Sequence, residues 1–105
     1  MGLFTSAKPK ITEKEINELG NALENQHSFN ASQRQFVVDV ILKPHVEKSP
    51  YESTPAISKE EATRIKELLD DKRSGMHTTL KAKNISDAEI DNLKSEIDKF
   101  LIINH

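Results

Sequence analysis

Apolar positions along this 105-residue chain recur mostly at helical spacing. Ile16, Leu19 and Leu23 form one set, Ile65, Leu68 and Leu69 a second, and Ile90, Leu93, Ile97, Phe100 and Leu101 a third. Such stripes predict amphipathic helices with one face turned to a core. The densest interior run, Phe36-Val37-Val38-Asp39-Val40-Ile41-Leu42, is broken by a single charge. A helix through it places Phe36, Val37, Val40 and Ile41 on one face and leaves Val38 and Leu42 on its flanks. Its β-branched content makes a buried strand almost as good a reading. The lead-in Gln33-Arg34-Gln35 and the lack of a following hairpin signal favour a central helix.

Helix starts are marked by capping boxes. In Ile11-Thr12-Glu13-Lys14-Glu15-Ile16, Thr12 is placed to accept from the Glu15 amide while Glu15 reaches back. Ile11 and Ile16 close a hydrophobic staple across that turn. Ile85-Ser86-Asp87-Ala88-Glu89-Ile90 repeats the device, and Ile57-Ser58-Lys59-Glu60-Glu61-Ala62 repeats it with alanine in the staple. The second helix has two possible caps, Asn30 with Gln33 or Ser32 with Gln35. The caps Thr12, Ser58 and Ser86 lie 46 and 28 residues apart, unequal and too few for a solenoid. Shared capping grammar explains their similarity without duplication.

These signals predict helices near 13–25, 32–43, 59–73 and 87–102. Asn25 to Phe29 is short enough to make the first two an antiparallel pair. Pro44, Pro50 and Pro55 make residues 44–57 extended. Gly75 reads as the stop of the third helix, and Met76 to Asn84 as irregular, with Met76 and Leu80 anchored in the core. The expected fold class is all-α: a small four-helix domain, two helical hairpins joined by a proline-rich strap. Residues 1–10 form a flexible lead-in and 11–105 a single helical domain. A three-helix core crossed by the strap is the alternative pairing.

Composition narrows the class further. With 30% charged and 35% hydrophobic residues, three glycines and no tryptophan, the usage is that of a small soluble helical protein. Absence of cysteine excludes disulfides and thiolate metal sites and fits a reducing compartment, so the default location is cytoplasmic. A formal charge of −2 gives no global attraction to nucleic acid. No apolar run approaches the ~20 residues of a membrane span. Met1-Gly2-Leu3-Phe4-Thr5-Ser6 fits the N-myristoylation pattern, with Lys8 and Lys10 behind it. The pattern is short, and we read it instead as a lead-in whose Leu3 and Phe4 fold back on the core.

No catalytic, cofactor-binding or metal motif is legible. His27, His45, His77 and His105 stand 18 to 32 residues apart in expected loops or at the terminus, without ligand-spaced partners. Glu60-Glu61 and Asp70-Asp71 read as solvated helix ends. There is no acidic calcium loop, Gly-x-Ser-x-Gly elbow or glycine-rich phosphate loop. The expectation is a protein that is not an enzyme.

Two features carry the functional reading. The run Phe100-Leu101-Ile102-Ile103 cannot all lie on one stripe of a helix. Either the chain leaves helical geometry after Leu101 and tucks inward, or Ile102 and Ile103 face a second surface. Phe100, Ile102 and Ile103 are therefore the candidate partner surface of a non-catalytic protein–protein interaction module, an adaptor or a homo-oligomer. The other feature is residues 72–83, where Lys72, Arg73, Lys81 and Lys83 occur without an acid. They are the phosphate contacts of the alternative, a nucleic-acid accessory protein. Against it, no aromatic is interleaved, and so long a loop is no helix-turn-helix.

Overall fold

A computed structural model describes residues 10–47 and 55–103, the last two as helical backbone only. Its elements in chain order begin with strand β1 (Lys10–Thr12) and helix α1 (Glu13–Gln26). Helix α2 (Ala31–Phe36) continues as a π-helical segment (Val37–Leu42) and a 3-10 turn (Lys43–His45). Strand β2 (Ala56–Ser58), helix α3 (Lys59–Asp70), helix α4 (Gly75–Ala82) and helix α5 (Asp87–Ile103) follow. The molecule is mostly helical, as its spacing predicts, but among the described residues the expected four helices are five, with a small two-stranded sheet added.

The sheet is made by the approaches to two helices. β1 runs directly into α1 and β2 into α3, and they pair antiparallel with Ile11 opposite Ile57. Lys10 faces Ser58 and Thr12 faces Ala56, so the register is symmetric about the isoleucine pair. Both starts share the pattern Pro-x-Ile-(Thr/Ser)-x-x-Glu, from Pro9 and from Pro55. The two copies are also each other's strand partners. Lys10, the last residue of the expected lead-in, is the first of β1.

All three staples are buried: Ile11 with Ile16, Ile57 with Ala62, and Ile85 with Ile90. They join Leu19, Leu23, Ile65, Leu69, Leu93 and Ile97 in one core. α5 contacts both α1 and α3, and α1 also touches α2 and the π segment. The second helix takes the first of its two possible caps. The Gln33 amide donates to Asn30 Oδ1 at 2.7 Å, and the Asn30 amide to Gln33 Oε1 at 3.0 Å.

The central run is helical, but its buried face differs from the α-helical expectation. Val37, Val38, Ile41 and Leu42 are buried, Phe36 packs partly against the core, and Val40 is 49% exposed. The buried set is the expected face shifted by one residue, 37/38/41/42 in place of 36/37/40/41. The run is also wound wider than an α-helix, with the Lys43 amide on the Val38 carbonyl, an i→i−5 link. Gly20 of α1 makes room for that side, since a Cβ there would stand 2.7 Å from Val38 Cγ2.

Two further expectations are corrected between residues 44 and 84. Pro44 lies inside the 3-10 turn rather than in an extended strap. Glu47 then pairs with Ala56, while residues 48–54, including Pro50, lie outside the described residues. Gly75 does not stop α3. That helix ends at Asp70, where Asp71 turns extended, and Gly75 is the first residue of α4. Ser74 is the reason: its Oγ accepts from the His77 amide at 3.0 Å and donates to the Leu68 carbonyl at 2.5 Å. α4 closes with Asn84 at φ 63°, and the Ile85 amide reaches back to the Leu80 carbonyl at 3.1 Å.

Candidate functional site

The end of α5 resolves one of the alternatives open in the sequence. The backbone stays helical through Ile103, so the chain does not leave helical geometry after Leu101. Leu101 is buried and Phe100 packs partly against the core. The side chains of Ile102 and Ile103 lie outside the described residues.

The basic segment is not an irregular loop. Lys72 and Arg73 occupy the turn between α3 and α4, Lys81 is in α4, and Lys83 is its C-terminal cap. All four are exposed. Lys81 Nζ stands 3.2 Å from Asp87 Oδ1, and this hydrogen bond and charge hold the Asp87 carboxyl below its ordinary value. The Lys83 ammonium lies 5.0 Å from the centre of the Phe36 ring, a cation–π contact. Gln33 Nε2 donates to the carbonyls of Lys83 and Asn84, tying the end of α4 to α2.

Sequence reasoning missed the work of the histidines. It placed them in loops without partners, yet His27, His45 and His77 each face a carboxylate on another element. His45 Nδ1 donates to Glu61 Oε1 at 2.9 Å, so Glu61 is engaged rather than a free solvated end. His77 is buried within α4, its Nδ1 donating to the Leu69 carbonyl at 2.8 Å. Its Nε2 stands 3.6 Å from Asp87. His105 lies outside the described residues.

The most enclosed ionic cluster joins the end of α1 to α5. Glu96 is only 2% exposed, and its Oε2 meets His27 Nε2 at 2.9 Å and Lys99 Nζ at 3.0 Å. Burial pushes the Glu96 carboxyl up, but the His27 and Lys99 hydrogen bonds outweigh it and hold the group below its ordinary value. No local motif marks this trio, because His27 and Glu96 are 69 residues apart. A second network spans α3 and α5, with Lys66 against Asp98 and Lys94 between Asp70 and Asp91. The Asp70 hydrogen bond is the largest influence raising the Lys94 ammonium.

Chemically, these clusters clamp helices to one another. Among the described residues, no three His, Asp or Glu side chains are grouped to hold a metal ion. No described helix is long and apolar enough to cross a membrane. No protein-family model, curated protein or solved structure matches the chain.

Proposed function

We propose that this is a non-catalytic, cytoplasmic protein–protein interaction module, an adaptor or homo-oligomer that docks through the last turn of α5. The observation that carries it is the helical backbone continuing through Ile103. Four consecutive apolar positions on a helix sweep about 300°, wider than the stripe that meets one core. Leu101 takes the core position. We assign Ile102, Ile103 and the part of Phe100 not packed on the core to the second surface, and an apolar patch of this kind is what a partner covers.

The homo-oligomer form is directly measurable. Light scattering on the purified chain across a wide concentration range should show self-association, and Ile102→Lys with Ile103→Lys should abolish it while leaving the melting temperature nearly unchanged. A wild type that stays monomeric, with a double variant that simply unfolds, would make the run core and end this reading.

A further inference from the structure

We draw no further inference here: the strongest candidate, the apolar stripe of Phe36, Val40 and Pro44 along α2, the π-helical segment and the 3-10 turn, is exposed at Val40 and Pro44, and nothing in the structure shows what covers it.

Discussion

His45 and Glu61 meet at 2.9 Å, and their contact diverts the carboxylate that a capping box would turn back on its own helix. Ser58 still accepts from the Glu61 amide at 3.1 Å, so that half of the cap is made. The same glutamate position in α1 and α5 does close the box. Glu15 Oε1 takes the Thr12 amide at 2.8 Å, and Glu89 Oε1 takes the Ser86 amide at 2.9 Å. At α3 the carboxylate instead ties the helix to the end of the 3-10 turn.

Glu61→Ala should therefore cost more than His45→Ala. Losing the histidine frees Glu61 to rejoin its own cap, limiting the loss to roughly 0.5–1 kcal/mol. Losing the glutamate removes the link and strands the imidazole. Urea melts of the two variants decide it, and equal losses would mean that Glu61 has no second role to fall back on.

Gly20→Ala should destabilise the fold although alanine is the better helix former. Its Cβ would stand 2.7 Å from Val38 Cγ2 and 3.2 Å from Arg34 Cγ. Overpacking costs about 1–3 kcal/mol, against roughly 1 kcal/mol gained from helix propensity. A double-mutant cycle with Val38→Ala should show favourable coupling, because the smaller side chain vacates the clash. A neutral or stabilising Gly20→Ala would show that α1 and the π segment do not approach this closely.

Glu96 predicts a pH dependence with a definite sign. Its folded-state value lies below the ordinary 4.5, so the unfolded chain takes up this proton more readily. The stabilisation is complete above that ordinary value and drains away as the pH falls through the folded value. Glu96→Gln should cost about 1–3 kcal/mol at neutral pH, through weakened bonds to His27 and Lys99. The gap between variant and wild type should narrow on acidification, as denaturant melts from pH 7 to pH 3 would show. A constant gap across that range would exclude the titration of Glu96 as its source.

Neighbouring residues of the central run should behave very differently. Ile41→Ala should cost about 2–5 kcal/mol and Leu93→Ala a similar amount, since both are buried. Val40→Ala, at an exposed position, should stay within about 0.5 kcal/mol. Ser86→Ala falls between, at about 0.5–2 kcal/mol, for the loss of its cap. A large effect at Val40 would mean that the run is rotated so that Val40 turns inward.

What the chain shows locally, it shows plainly. The starts of α1, α3 and α5 are legible because a cap is a contact between residues three apart, and the staples because they span one turn. The apolar stripes of α1, α3 and α5 identify their buried faces for the same reason. The acid-free segment 72–83 and the apolar run 100–103 are equally visible as composition. Neither their geometry nor their exposure is.

Tertiary structure decided the rest, wherever the determining partner is distant in the chain. α4 has weak helix formers, with glycine first and two threonines within. It is held by Leu69 of α3 and Gln33 of α2. The pairing of Ile11 with Ile57 joins segments whose shared local pattern does not by itself say that they meet. Val38 packs against Gly20, which leaves it space, and Val40 is left exposed, a choice of face that side-chain spacing alone did not make. His27 acquires its carboxylate only when α5 folds against α1. Local hydrogen bonds and helical periodicity act over one or two turns and can be read residue by residue. Burial, strand pairing and ion pairing depend on which elements meet, and only the folded chain brings them together.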